Sequence, residues 1–262
     1  LLFFSLALFT KETAIILILM GIIYFVLLKR TSANKVISIF IYWLLISGLW
    51  FLLRKNALEA NPIDMNFANI LKWILVNSPA VIIYLGKLLF PVNLSVLPIW
   101  QDSVKIYGII ALVIIASLLF FSKEKRYNFI IFGLVWFLFF LLPAFVRPNT
   151  AMAADFMEHR VYLPVVGFII LLLEVDFIKN INFQKKFTLF IFVIILIIFS
   201  FLTLRHSRNF ENRLSFWKNA VRNSPHSALA HRNLGAMYYL DGFLNEAEAE
   251  YKKSLELNPK EQ

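Results

Sequence analysis

Apolar positions in this chain do not alternate with polar ones; they run on. Five runs, 13–28, 36–53, 106–122, 127–146 and 187–204, contain no Asp, Glu, Lys or Arg. Each reaches or approaches the roughly 17–25 residues a helix needs to cross a bilayer. A sixth run, 161–178, carries Glu174 and Asp176 near its far end. Residues 1–9 read as the tail of an earlier span, so the chain is expected to be the C-terminal part of a longer protein. The stretch 69–91 is apolar but holds Lys72, Lys87 and the breaker Asn77-Ser78-Pro79. Proline removes a backbone donor and disfavours a helical residue before it, so a broken segment is expected here. The pattern predicts an all-α, polytopic transmembrane helix bundle with six clear spans.

Charge orients the bundle. Short loops rich in Lys and Arg stay cytoplasmic, and three qualify: Lys29, Arg30 and Lys35; Lys123, Lys125 and Arg126; Lys179, Lys185 and Lys186. All three share the cytoplasmic face only if 69–91 makes no net crossing. The loops at 10–12, 54–68, 92–105 and 147–160 then lie outside, with everything after residue 204. That face collects Lys11, Glu12, Arg54, Lys55, Glu158, His159 and Arg160 beside the membrane.

After residue 204 the pattern turns polar and helical, which divides the chain into a transmembrane region 1–204 and a repeat region 205–262. Leu234, Gly235, Tyr238, Ala247, Tyr251 and Pro259 fall at the spacing of a 34-residue tetratricopeptide repeat. Pro225 precedes Pro259, and Trp217 precedes Tyr251, by that same interval, so a partial repeat precedes the full one. A C-terminal helical hairpin is expected, with Trp217, Leu234, Tyr238 and Tyr251 packed between its helices and Gly235 at a close contact. About three repeats are usually needed to bury a continuous core. The region is either a spacer or a protein-binding surface.

Composition agrees with the membrane reading: 60% of residues are hydrophobic, 16% are charged and 28 are Phe, far above a soluble domain's apolar share. The formal net charge of +10 sits in short clusters between apolar runs, as topology signals do, and not in a nucleic-acid patch. With no cysteine, disulfides and thiolate metal sites are excluded. Four His, at 159, 206, 226 and 231, are scattered, and although His226 and His231 are close, no acidic or Cys partner makes a metal site with them. No Walker loop or dinucleotide fingerprint is present. No metal and no cofactor are expected.

Two charged stretches remain. In FTKET (9–13), Glu12 suits the positive end of a helix dipole and Lys11 can snorkel to headgroups. Those local roles suffice for that stretch alone. In MEHRVYLP (157–164), one reading makes Arg160 an interfacial anchor paired with Glu158, with Tyr162 in an aromatic belt. The other has Arg160 and His159 hold a lipid-linked phosphate, whose oxygens match the planar guanidinium fork. Both readings are open on the residues alone. Asn93-Leu94-Ser95 matches the glycosylation triplet, which is common by chance.

LALFTKETAIILILM (6–20), LLFPVNLSVLP (88–98), GLVWFLFFLLPAF (133–145), EHRVYLPVVGF (158–168) and the C-terminal repeat occur in this order. Together they resemble the C-terminal half of the bacterial membrane O-mannosyltransferase-like proteins with tetratricopeptide repeats, within the GT-C glycosyltransferase class. The resemblance implies an enzyme that takes a sugar from a polyprenyl-phosphate carrier on the external face and passes it to an acceptor, often a protein hydroxyl. It implies that Lys11, Glu12, Arg54, Glu158, His159, Arg160 and Tyr162 serve the carrier phosphate, that the repeats lie outside, and that the protein sits in the bacterial inner membrane. Membrane lipid, the polyprenyl-phosphate sugar and a protein acceptor or repeat-bound partner are the expected partners; nucleic acid is not. The family's catalytic acid lies in an upstream loop, so this chain alone is expected to lack it. Two alternatives are a non-catalytic membrane scaffold presenting the repeats and a polysaccharide ligase or polymerase. An acid-bearing external loop after the first upstream span would favour the transferase over the scaffold.

Overall fold

The computed structural model describes residues 2–29, 31–57, 66–146 and 158–259. Arg30, most of the 54–68 loop and residues 147–157 fall outside them. In chain order the helices are α1 (Leu2–Thr10), α2 (Ile16–Leu27), α3 (Ala33–Ala57), α4 (Phe67–Asn77), α5 (Ala80–Leu89), α6 (Ile106–Phe121) and α7 (Tyr127–Phe145). They continue with α8 (Pro164–Leu172), α9 (Asp176–Lys179), α10 (Lys186–Ser207), α11 (Arg213–Asn223), α12 (Ala228–Leu240) and α13 (Leu244–Leu257). The described residues contain no strand.

Among the described residues, three helices are long and apolar enough to cross a membrane: Ala33–Asn56, Tyr127–Phe145 and Lys186–Phe210. The broken pair α4 and α5 would make a fourth if counted as one span. The expectation of six spans is therefore met outright by three. Glu12–Leu27 and Ile106–Phe121 are apolar but shorter. The run 161–178 is not one helix: α8 stops at Leu172 and the chain turns at Leu173–Val175 before α9. The break expected at Asn77-Ser78-Pro79 is present, with α4 ending at Asn77 and Pro79 preceding α5.

The chain packs as two compact units. The first takes Leu1–Asn77, Phe121–Pro148 and Val161–Lys179. Within it, α1 and α2 pack against α3 through Phe4, Leu8 and Ala14, with Trp43 and Trp50 beside them. Met20 of α2 meets Phe132 and Phe140 of α7. Helices α7 and α8 make the closest pairing, because Gly133 and Gly167 let their backbones touch. Pro143 lies inside the last turn of α7, and helix ends leave carbonyls without partners. The Asn77 amide donates to one of them, Phe145 O, at 2.9 Å.

Glu174 explains why the sixth run stops short. Its side chain is only 1% exposed, and it is reached by Arg126 Nη2 at 2.6 Å, Arg126 Nε at 3.1 Å and Lys179 Nζ at 3.1 Å. The Arg126 backbone N–H donates at 2.9 Å. Burial pushes this carboxyl up, but the hydrogen bonds from Arg126 and Lys179 outweigh it and hold the group below the ordinary value of 4.5. A carboxylate held low in the folded state stabilises at pH values above its unfolded range, and that contribution is lost as pH falls through the folded value. The thermal midpoint of the wild type should therefore fall on acidification below about 4.5. Glu174→Gln should start lower by about 2 kcal/mol, because charge-assisted bonds are lost while Arg126 stays solvated, and should respond less to acid. Parallel pH profiles for the two proteins would sink this account.

The second unit takes Ser78–Phe120, Asn149–Arg160 and Asn180–Gln262. Here α5 and α6 cross at Gly86 and Gly108, where an added Cβ on Gly86 would lie 2.7 Å from the Gly108 nitrogen. Helix α10 has no buried residue and is about 33 Å long at 1.5 Å per residue, close to a hydrocarbon core of about 30 Å. Asn212 caps α11 by accepting from Ser215 N at 2.8 Å, and Ser227 caps α12 by accepting from Ala230 N at 3.2 Å. Each such cap contributes about 1 kcal/mol. Gly242, at φ 82°, ends α12 in a left-handed turn that glycine enters without strain. The chain reverses there, and α12 and α13 pair antiparallel. Ser254 Oγ donates to Ala228 O at 2.8 Å, His231 meets Glu250 at 2.5 Å, and Gly235 lies against Ala247 and Tyr251.

Candidate functional site

In the first unit, Lys11 adopts an extended backbone between α1 and the 3-10 turn Glu12–Ile15. This polar step interrupts two apolar helices, and Thr10 Oγ1 satisfies Leu6 O at 2.7 Å on its near side. Glu12 then stands in the first turn of the next helix, where a carboxylate complements the dipole. Its partner is the Arg54 guanidinium, which arrives from the last turn of α3. Arg54 also lies over the Trp50 ring at 5.1 Å, a cation–π contact that fixes its approach. Both members of the pair remain accessible, at 58% for Glu12 and 40% for Arg54. Lys11 is exposed beside them.

The same helices frame an apolar crevice of about 490 Å3, with Met20 and Tyr24 on α2, Trp43 on α3 and Trp136 on α7 among its walls. Trp43 precedes Arg54 by eleven positions on one helix, a rise of about 16 Å. Cationic head and aromatic crevice thus follow one another along a single helix pair.

Glu158, His159 and Arg160 form one short 3-10 turn in the second unit. His159 is exposed and Arg160 half-buried. Tyr162 is exposed in the first unit, just before Pro164 opens α8. Glu12 and Arg54 meet directly, and Glu158, His159 and Arg160 follow one another in a single 3-10 turn.

Of the positions assigned to repeat packing, Leu234 and Ala247 are buried. Gly235 would bring a Cβ to 3.0 Å from the Tyr251 ring. Tyr238 is half-buried, with Phe243 edge-on at 6.3 Å and Lys218 over its face at 5.5 Å. Trp217 is half-buried against the Val96, Leu97, Ala220 and Ala230 cluster. Pro259 is exposed in the turn after α13.

That last cluster exposes contacts that sequence reasoning missed. The loop between α5 and α6 is bonded to α11 and its far end. Asn219 Oδ1 accepts from Val96 N at 3.1 Å, Ser224 Oγ donates to Leu97 O at 2.8 Å, and Ser95 meets Ser224 at 3.3 Å. Asp102 takes His226 N at 2.9 Å and His226 Nδ1 at 2.5 Å. Ser95 and Ser224 are almost wholly buried, so the glycosylation triplet hides a packing serine. His226 and His231 each find a carboxylate, on residues too distant or too ordinary in sequence to announce it. No protein-family model, no curated protein and no solved structure matches this chain.

Proposed function

We propose that this chain is part of a GT-C-type membrane glycosyltransferase that moves a sugar from a polyprenyl-phosphate carrier to an acceptor hydroxyl on the external face. The observation that carries the reading is the order of features along α2 and α3. Lys11 and Arg54 offer cations at the end of the helices, and Trp43 of the aromatic crevice stands about 16 Å further along α3. A carrier has the same order, with a phosphate at the membrane edge and a prenyl tail inside. Glu12 holds Arg54 in place and offers an acceptor for a sugar hydroxyl. Cations beside the leaving phosphate stabilise the charge that develops on it.

Contacts within each unit support the sidedness. Arg126 with Glu174 and Asn128 with Leu27 O, at 3.0 Å, join loops assigned to the cytoplasmic face. Arg54 with Glu12, and the 95–102 loop with α11, join segments assigned outside. Helices α12 and α13, with the glycine contact at Gly235 and the 34-residue spacing, are read as one tetratricopeptide repeat on that outer side, in a bacterial inner membrane. The repeat face would receive the protein acceptor or a partner.

The test is transfer itself. The full-length protein, reconstituted in vesicles, should move labelled sugar from a polyprenyl-phosphate donor to protein hydroxyls. A donor with a shortened lipid should show a raised KM, because the crevice is left unfilled. Equal use of a nucleotide sugar, or indifference to lipid length, would reject the reading.

A further inference from the structure

A basic cavity lies at the elbow between α10 and α11, in the second unit and apart from every residue assigned above to the carrier. It measures about 530 Å3. Leu202 and Arg205 come from the last turns of α10, Asn219, Arg222 and Asn223 from α11, and Asn93 from the loop before α6. No Asp or Glu lines it. Neither Arg205 nor Arg222 forms an ion pair or hydrogen bond with any other described residue. Two like charges facing one space repel each other unless an anion is shared between them.

The walls are fixed in advance. Asn219 is tied to the Val96 backbone at 3.1 Å, and the Asn223 amide donates to Asn219 O at 3.1 Å. The level is fixed as well. From Phe187 to Leu204 the apolar part of α10 rises about 27 Å, against a hydrocarbon thickness of about 30 Å, so Arg205 stands where headgroups begin. The guanidinium fork suits phosphate oxygens, and Leu202 supplies an apolar floor on the membrane side.

We propose that this cavity binds the phosphate of an anionic phospholipid headgroup, in the leaflet at the Arg205 end of α10. The claim is independent of the transferase reading. It differs from ordinary snorkelling, in which each arginine would meet bulk headgroups singly and no one lipid would stay bound.

Native mass spectrometry of the protein, released from phosphatidylglycerol-containing nanodiscs, reads retained lipid directly. The wild type should keep phosphatidylglycerol in preference to phosphatidylcholine. The Arg205→Gln/Arg222→Gln double variant should retain it roughly 30-fold more weakly, the product of two surface cations, with an unchanged circular dichroism spectrum. Lys185→Gln/Lys186→Gln, at the other end of the same helix, should retain it as the wild type does. Equal loss in both double variants would reduce the effect to diffuse surface charge and overturn the site. Retention unchanged in the arginine variant would overturn it too. Displacement of the lipid by inorganic phosphate would assign the cavity to a free phosphate and overturn the lipid assignment.

Discussion

Gly167→Val is expected to force α7 and α8 apart, at a cost of about 3 kcal/mol or more. A Cβ at Gly167 would run into the Gly133 carbonyl oxygen and lie 2.6 Å from the Phe137 nitrogen. Both are backbone atoms, so no side chain can rotate out of the way. The contact is reciprocal, because a Cβ on Gly133 would lie 2.8 Å from Gly167 O. Lipid tails are as apolar as leucine, so helices in a membrane associate through close packing of small residues rather than through apolar burial. The pair is also pinned at Trp136 Nε1, which donates to Leu163 O at 2.8 Å, and at Arg126 with Glu174. Parting the middle would strain both ends. Gly48 on α3 is the control: nothing lies within 4 Å of its added Cβ. Gly48→Ala should be neutral or gain up to about 1 kcal/mol from helix propensity. Thermal midpoints in detergent compare the two. A Gly167→Val midpoint equal to that of Gly48→Ala would mean the two helices do not touch there.

The helices were legible where one local rule governs. Uncharged runs became α3, α7 and α10 because a bilayer-length apolar segment has few alternatives to a helix. The break at Pro79 followed from proline's missing donor. The outcome at 161–178 was not legible, although Glu174 was visible. What ends that helix is a partner 48 residues upstream in Arg126, and nothing local in the sequence names it. The same limit hid Ser224 from Ser95 and His226 from Asp102, pairs 129 and 124 residues apart. Polar loop residues carry no period that would betray such contacts. Charge at the membrane edge was a partial guide. It singled out Glu12 and Arg54, which meet 42 residues apart. It passed over Arg205 and Arg222, which stand in the last turns of α10 and α11.

On the glycosyltransferase reading proposed above, Arg54→Ala and Arg160→Ala are each expected to lower sugar transfer by about 100-fold or more, the loss typical when a donor to developing negative charge is removed. Arg54→Ala does more than delete a cation. It leaves the Glu12 carboxylate unpaired where the carrier phosphate should sit, so repulsion adds to lost attraction. Glu12→Gln removes that repulsion and should recover part of the activity in the Arg54→Ala background. If the pair were only a structural staple, the double variant would recover nothing and the thermal midpoint would fall with transfer. Arg54→Lys keeps the charge without the planar fork and should fall between wild type and Arg54→Ala. The effect should appear in both kcat and KM for the lipid donor, because the phosphate is held on binding and held more tightly as it leaves. Both substituted arginines are accessible to some degree, so their loss should not unfold the protein. Wild-type transfer in Arg54→Ala and Arg160→Ala, with intact folding, would reject the phosphate role and leave both residues as membrane anchors.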